Sequence, residues 1–317
     1  MTSTLHRVKE AARADAPWVG PLLAVIGVLG FSFKAILIKL AYAWEPIDAV
    51  TLLTLRMIYS APIFLLMALF ASARGRATTP LTRSDWLRIV WLGFIGYYLA
   101  SLVDFMGLQY VTAALERLML YLYPTLVVVL SAIFLGQRIT GRIALALVLS
   151  YAGIALVFGR DLTFSGDAHA LWLGGALVFA SSVFYALYLI GAGPVIAKLG
   201  SLRFIALAML ISSAFVFGQF AATRPAAALA APPRIQLLSL TMAIFSTVLP
   251  TYLIAEAIKR IGANRTSLVG SLGPVFTIWL GLWILGEPVH WIQVGGAVLV
   301  LAGVALVSLR PRAAVAS

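Results

Sequence analysis

The sequence predicts an all-α integral membrane protein with ten transmembrane helices, arranged as two five-helix repeats of opposite (5+5 inverted) topology. Of its 317 residues, 62% are hydrophobic and only 11% are charged, whereas soluble domains carry about 25% charged residues. One stretch of the chain also occurs twice, 150 residues apart, and the positive charges concentrate in alternate loops. These three observations together predict the fold.

The ten helices follow from apolar runs, because a bilayer core requires roughly 20 mostly apolar residues per helix. Helix breakers separate the runs, as in Glu45-Pro46, the Gly-Ala-Gly-Pro segment 191–194 and the proline-rich segment 225–233. The predicted helices span residues 18–42, 48–73, 86–109, 112–135, 142–159, 170–192, 201–222, 235–257, 264–286 and 289–309.

The duplication divides the chain into two repeats. Its first copy contains Leu122, Pro124, Leu130, Leu135, Gly136, Gly153, Ala155, Leu156 and Val157, and the second contains Leu272, Pro274, Leu280, Leu285, Gly286, Gly303, Ala305, Leu306 and Val307. We predict a cytoplasmic tail over 1–17, a first repeat over 18–159, a periplasmic linker over 160–169, a second repeat over 170–309 and a cytoplasmic tail over 310–317. Because each repeat has an odd number of helices, the second is inverted, as in many secondary transporters.

The orientation follows from the excess of Lys and Arg in cytoplasmic loops. With the N-terminus inside, only Arg160, Arg224 and Arg234 fall on the outer side. Sixteen others fall inside: Arg7, Lys9, Arg13, Arg74, Arg76, Arg83, Arg88, Arg138, Arg142, Lys198, Arg203, Lys259, Arg260, Arg265, Arg310 and Arg312. Both termini are therefore predicted to be cytoplasmic.

The composition also argues against other classes of protein. The net charge of +12 is spread over short loops between apolar runs, so we do not expect nucleic acid as a partner. The chain has no cysteine, which rules out disulfides, thiolate metal sites and cysteine nucleophiles. Because it also lacks a Walker-type phosphate loop, a zinc-binding HExxH and a nucleophile elbow, we predict no cofactor, no metal and no enzymatic activity.

Two segments resemble the paired signature of EamA-type members of the drug/metabolite transporter (DMT) superfamily. They are residues 110–137, YVTAALERLMLYLYPTLVVVLSAIFLGQ, and residues 261–287, IGANRTSLVGSLGPVFTIWLGLWILGE. The resemblance implies a ten-helix inverted-repeat carrier of the bacterial inner membrane, often an exporter of amino acids or other small metabolites. In one departure, Gln137 stands where the second copy has the more usual acidic Glu287.

Charged residues inside the predicted helices are candidates for substrate binding, because each costs at least ~2.5–3.5 kcal/mol at a helix centre on insertion scales. Six lie in the first repeat, and the second repeat offers only Glu256, close to its cytoplasmic end. Apart from Lys39, which is treated below, the candidates of the first repeat are Lys34, Arg56, Asp104, Glu116 and Arg117. Their distances from the helix ends place them together in the outer half of the membrane. Cations outnumber carboxylates, which suits an acidic substrate.

A structural alternative stays open for the charges. Asp104 and Arg117 lie almost equally far from the turn near Tyr110, so they can form an ion pair that locks two helices, with Glu116 paired to Lys34 or Arg56. Lys39 lies near a helix end, and we expect its side chain to extend to the membrane interface.

Polar side chains at helical spacing extend the candidate site. Tyr97 and Ser101 share a helix face with Asp104, Tyr121 follows Arg117 by four residues, and the second repeat adds Tyr185, Tyr188 and Tyr252. Ordinary helix packing explains any single tyrosine equally well. The convergence of four helices favours a substrate path.

Prolines, glycines and carboxylates within the predicted helices have further expected roles. Pro124 and Pro274 are candidate hinges or gates, since proline breaks a helix, although static membrane helices also contain prolines. Gly153, Gly295 and Gly303 suit close helix packing. Asp104, Glu116 and Glu256 are candidate proton carriers.

The sequence thus predicts a secondary transporter that exports a small polar or amphipathic metabolite, with amino acids as the leading class, by alternating access. Its partners are the substrate, membrane lipids and, if transport is coupled, protons, and it acts as a monomer or homodimer. The alternatives are an importer of an anionic metabolite, or an integral-membrane enzyme or scaffold acting on lipid-linked substrates.

Overall fold

The computed structural model describes residues 18–74, 81–164 and 166–308. The predicted tails, 1–17 and 310–317, lie outside the described residues. Over the described part, ten helices are long and apolar enough to span a membrane, as predicted. They are α1 (Val19–Trp44), α2 (Ala49–Ala71), α3 (Arg83–Gly107), α4 (Ala113–Leu135), α5 (Gly141–Thr163), α6 (Ala168–Leu199), α7 (Ser201–Thr223), α8 (Pro233–Gly262), α9 (Leu268–Leu285) and α10 (Trp291–Ser308).

Helices α5, α6 and α8 extend clearly beyond the ends that the sequence predicted, α8 reaching Gly262. Helix α6 continues through the segment 191–194, which was expected to end it, and stops only at Gly200, which has a φ of 77°. A proline removes one backbone donor, and a helix in lipid keeps the remaining hydrogen bonds because no water can replace them. Helix α5 reaches Thr163, so residues 160–163 of the expected linker are helical.

The inversion of the second repeat is visible where α5 meets α10. A Cβ built on Gly153 would lie 2.6 Å from the carbonyl oxygen of Gly296, and a Cβ built on Gly303 would lie 2.5 Å from the carbonyl oxygen of Ala146. As α5 advances from Ala146 to Gly153, α10 recedes from Gly303 to Gly296, so the two helices are antiparallel. Adding 150 to each α5 position gives its α10 counterpart, which places a pseudo-twofold axis between them.

The remaining contacts follow the same pseudo-symmetry. Helix α1 packs along α8, as α6 packs along α3, and α2 packs against its counterpart α7. Helix α9 also packs on α1, as α4 packs on α6. The structure therefore contains an α1–α8–α9 bundle and an α3–α4–α6 bundle, each built from both repeats.

Irregular backbone recurs at equivalent positions. Helices α3 and α8 contain π-helical segments at Phe94–Leu99 and Ile244–Val248. Helices α4 and α9 are each broken by a turn, at residues 121–122 and 271–272, immediately before the segment that carries Pro124 or Pro274. The predicted helix interruptions are thus confirmed, and short π segments are frequent at functional sites.

The glycine contacts correct one expectation. Gly153 and Gly303 pack closely, but the other glycine of α10 that contacts α5 is Gly296 and not Gly295. A Cβ on Gly295 would meet nothing within 4 Å. A shift of one residue rotates a helical position by about 100°, away from the partner helix.

This difference gives a matched test of the pseudo-twofold contact. We expect Gly296→Val to lower stability by about 1–3 kcal/mol, the usual cost of overpacking, while Gly295→Val stays close to the parent. Both variants place the same β-branched residue in the same helix, so the difference isolates packing. Thermal unfolding in detergent measures it, and equal melting temperatures for the two variants would contradict the antiparallel α5–α10 contact.

Candidate functional site

A charged cluster joins three helices in the half of the membrane that the loop charges predict to be outer. The words outer and inner denote this predicted orientation. Lys34 of α1 places its Nζ 2.6 Å from Asp104 Oδ2 of α3 and 3.3 Å from Glu116 Oε1 of α4. The Lys34 side chain is 19% exposed, and those of Asp104 and Glu116 are 2% and 0% exposed. Lys34 therefore links the α1–α8–α9 bundle to the α3–α4–α6 bundle through two buried carboxylates.

The ion pairing differs in part from the structural alternative considered above. Asp104 pairs with Lys34, and Arg117 has no carboxylate within 4.0 Å among the residues that the structure describes. The Asp104–Arg117 pair is thus wrong, whereas Glu116 does lie beside Lys34. Arg117 points toward the helix breaks instead, because Lys34 of α1 already occupies the space in front of Asp104.

Arg56 of α2 is the second cation of the site, and it is only 4% exposed. Its guanidinium donates a long hydrogen bond of 3.3 Å to Ser101 Oγ and lies 4.9 Å from the centre of the Phe105 ring. Its Nε has no partner among the described residues. A buried guanidinium with so few acceptors retains capacity to bind an anion.

Arg117 is the third cation, and it lies where α4 and α9 are broken. Its guanidinium is 5.6 Å from the centre of the Tyr121 ring. A Cβ on Gly273 would lie 2.9 Å from Arg117 Nη2 and 3.0 Å from the Tyr121 hydroxyl, so glycine is what allows this approach. Its Nε is buried and has no partner in the described part of the chain.

Tyrosines extend from Arg117 toward the inner half of the membrane. Tyr121 is followed by Tyr123 at 6.3 Å between ring centres, then by Tyr185 of α6 at 5.3 Å. Tyr188 lies 5.6 Å from Tyr185, and its hydroxyl is 3.1 Å from that of Tyr97. The structure thus brings four predicted tyrosines together and adds Tyr123, which the sequence analysis missed although it directly precedes Pro124.

Two equivalent serines hold the broken helices. The Ser182 hydroxyl of α6 lies 2.9 Å from the carbonyl oxygen of Met119, just before the break in α4, and the Ser32 hydroxyl of α1 lies 3.1 Å from that of Gly273, just after the break in α9. Each hydroxyl shares its one proton with a carbonyl of its own helix, at 3.2 Å for Val178 and 2.9 Å for Val28. Both serines are fully buried. They satisfy carbonyls near the interruptions, and their 150-residue spacing was a signal that the sequence analysis did not use.

Polar contacts also close the outer side between the two bundles. The Tyr42 hydroxyl donates 2.8 Å to the carbonyl of Phe105, and Lys39 Nζ donates 2.7 Å to that of Val111. Glu287 Oε1 accepts from the amide of Ala113, at the start of α4, at 3.0 Å and lies 3.9 Å from Lys39. Lys39 therefore binds across the seam and does not extend to the interface as expected, because these acceptors lie within its reach.

Among the residues that the structure describes, the predicted inner side shows no equivalent set of contacts. The residues equivalent to Lys39, Tyr42 and Glu287 are Leu189, Ala192 and Gln137, which cannot form the same ionic contacts. Helix α1 packs on α4, but over the described residues α6 has no comparable packing on α9. Over the described residues, the seam between the bundles is therefore closed on the predicted outer side, an arrangement termed here the outward-closed state. The asymmetry comes from side chains placed on a nearly symmetric backbone.

Two predicted residues lie apart from this site. Tyr252 is 47% exposed, and no contact between it and the cluster is seen in the described part. Glu256 pairs with Lys259 at 3.0 Å and with Arg260 at 3.2 Å near the inner end of α8, so it forms ordinary helix ion pairs there. Among the described residues, no group of three or more His, Asp or Glu could hold a metal ion.

Comparison with known proteins relates the whole fold to transporters. The model of the EamA-like transporter family matches residues 18–159 and 172–309. The Bacillus subtilis protein named uncharacterized transporter YcbK is 30% identical over 94% of this chain and 96% of its own length, and the uncharacterized transporter YyaM of that organism is 26% identical over 77% and 79%. One protein crystal structure matches with a TM-score of 0.59 and 21% identity, covering 90% of this chain and 95% of that one, which supports the fold alone.

Lys34 and its carboxylates give a test of the charged cluster. Removing one partner of a buried ion pair costs about 3–5 kcal/mol, since a charge is left uncompensated. We therefore expect Lys34→Met to lower stability strongly and Lys34→Met combined with Asp104→Asn to recover part of the loss. Unfolding in detergent measures both, and a double variant no more stable than the single one would argue against the pair.

Glu287 gives a test of the outer closure. Burial raises the pKa of Glu287, and the Ala113 amide and Lys39 only partly oppose this effect. A carboxyl whose pKa is raised by folding binds its proton more tightly in the folded state, so its ionisation costs stability as the pH rises through that pKa. We expect Glu287→Gln to be more stable relative to the parent at neutral pH than at acidic pH. Melting temperatures at both pH values measure this, and a difference independent of pH would contradict it.

Proposed function

We propose that this chain, which belongs to the EamA-like transporter family, is a secondary transporter that exports a small metabolite across the bacterial inner membrane by alternating access. The substrate is polar or amphipathic and carries a carboxylate, and amino acids are the leading class. The positive charges on the predicted inner loops support cytoplasmic termini. The names of the relatives support a transporter and leave the substrate open.

The observation that carries this proposal is the position of the charged cluster on the seam between the two bundles. Lys34 comes from one bundle, and Asp104 and Glu116 come from the other. A carrier that opens to alternate sides must make and break contacts across such a seam while its bundles stay intact. The serine contacts of Ser32 and Ser182 lie within the bundles, as this requires.

The substrate class follows from the charges that lack partners. Lys34 faces two carboxylates, whereas Arg56 and Arg117 pair with none within 4.0 Å in the described part of the chain. A guanidinium binds a carboxylate through two parallel hydrogen bonds. The tyrosines from Tyr121 to Tyr97 add apolar ring faces with hydroxyl groups, which suits a substrate with both an acidic group and an apolar part.

Import of an anionic metabolite is the second candidate, and the same excess of cations favours it. Export and import use the same site and differ in the gradient that drives the cycle. The sidedness of flux in oriented vesicles separates them.

Arg117 gives the test of the substrate site. In proteoliposomes screened with radiolabelled amino acids and other small carboxylates, we expect Arg117→Gln to lose at least about tenfold in flux, because a charge-assisted hydrogen bond contributes about 1.5–3 kcal/mol. Arg83→Gln, at the exposed inner start of α3, removes the same charge outside the site and should transport normally. Full flux in Arg117→Gln would remove this residue from the site, and no flux of any candidate through the parent would overturn the proposed class of substrate.

A further inference from the structure

Three carboxylate oxygens of the charged cluster lack hydrogen-bond donors. They are Asp104 Oδ1 and both oxygens of Glu116, all buried and without a hydrogen-bond partner in the described part of the chain. Lys34 donates to the remaining oxygen, Asp104 Oδ2, and meets Glu116 only as an ionic neighbour at 3.3 Å. A buried carboxylate oxygen without a donor is costly, so the cluster requires a hydrogen-bond donor in addition to Lys34.

A proton on Glu116 supplies the missing donor. The two carboxyl groups are immediate neighbours, because the same Lys34 Nζ lies 2.6 Å from Asp104 Oδ2 and 3.3 Å from Glu116 Oε1. A protonated Glu116 then donates to Asp104, and Asp104 remains the carboxylate that pairs with Lys34. Two carboxylates held this close tend to share one proton, since both cannot ionise cheaply.

The surrounding charges do not replace this proton. Lys34 and Lys39 of α1 and Arg117 of α4 all act on Glu116 electrostatically, and Arg56 of α2 acts on Asp104. Of these cations, only Lys34 lies within 4.0 Å of a carboxylate of the pair. From the loop before α10, Glu287 adds a further acidic group beside Lys39. A metal cation in place of the proton would be repelled by the Lys34 ammonium, which already contacts both carboxyl groups.

We infer that Asp104 and Glu116 share one proton in this outward-closed state, and that loss of this proton opens the outer side. This inference rests on the proposed transport function and adds the coupling ion and its site. When the O–H bond of Glu116 breaks, a second negative charge remains in a sealed site that holds a single paired lysine. The proton passes to water on the inner side, and separation of α1 from α4 then solvates the new carboxylate.

The consequence for the transport cycle is a condition on closure. The outer side closes only when Glu116 is protonated, and Lys34 then joins the two bundles through Asp104. Because protons would be loaded from the outside before each closure, the site fits exchange of a proton for an exported substrate. Proton binding and substrate binding are thereby placed on adjacent residues of α4, Glu116 and Arg117.

The test uses the absence of cysteine from the chain. Ala113 is fully buried at the outer seam, so an Ala113→Cys variant reports outer opening by its rate of reaction with a water-soluble maleimide in detergent. Ala168→Cys, exposed at the outer start of α6, corrects for the intrinsic effect of pH on the thiol. We expect the ratio of the two rates to rise severalfold as the pH is raised from acidic to alkaline.

Variants in the Ala113→Cys and Ala168→Cys backgrounds identify the group responsible. Glu116→Gln mimics the protonated state and should keep the ratio low at every pH. Asp104→Asn removes the second carboxylate and should also abolish the rise. Glu45→Gln, the control at an outer carboxyl whose partner Arg234 belongs to the same bundle, should preserve it.

A pH response that persists in Glu116→Gln or in Asp104→Asn, or that disappears in Glu45→Gln, would overturn the inference. The absence of any rise in the parent would overturn it as well. Because the assay needs no substrate, its outcome is separate from the flux test. A chain that responds to pH through Glu116 but moves no candidate metabolite would refute the proposed substrate and leave the proton site standing.

Discussion

The contact on which this structure depends is the bridge from Lys34 to Asp104 and Glu116. A carboxylate at this depth is costly without a cationic partner, because lipid offers no solvation. The partners here come from different bundles, so the requirement for neutrality also fixes how the bundles meet. The outer contacts of Tyr42, Lys39 and Glu287 reinforce the same seam. The contacts that close the outer side therefore also compensate the buried charges.

The backbones of the two repeats are nearly symmetric, whereas their charged side chains are not. The pseudo-twofold relation places π segments, helix breaks, serines and close glycine contacts at positions 150 residues apart. The charged cluster has no counterpart, since the residues equivalent to Lys34, Asp104 and Glu116 are Phe184, Ile254 and Thr266. Duplication thus supplied two bundles that meet at a seam, and substitution in one copy gave the seam its ionic site.

Helix breaks give this site its accessible backbone. Non-helical backbone at membrane depth is tolerated only where other groups satisfy it, and Ser32 and Ser182 do so from within each bundle. Gly273 adds the space for Arg117 and Tyr121. Each break is therefore a point where the chain can bend and also a point where side chains from both repeats meet.

The sequence by itself determined the ten helices, the two repeats and the list of charged residues in the membrane. Those features depend on composition, spacing and loop charge, which are local properties of the chain. Only the tertiary structure decided that Lys34, and not Arg117, pairs with Asp104, that Lys39 binds across the seam, and that Gly296 rather than Gly295 meets α5. Each of these depends on how helices distant in sequence are rotated against each other, and a rotation of one residue, about 100°, changes every partner.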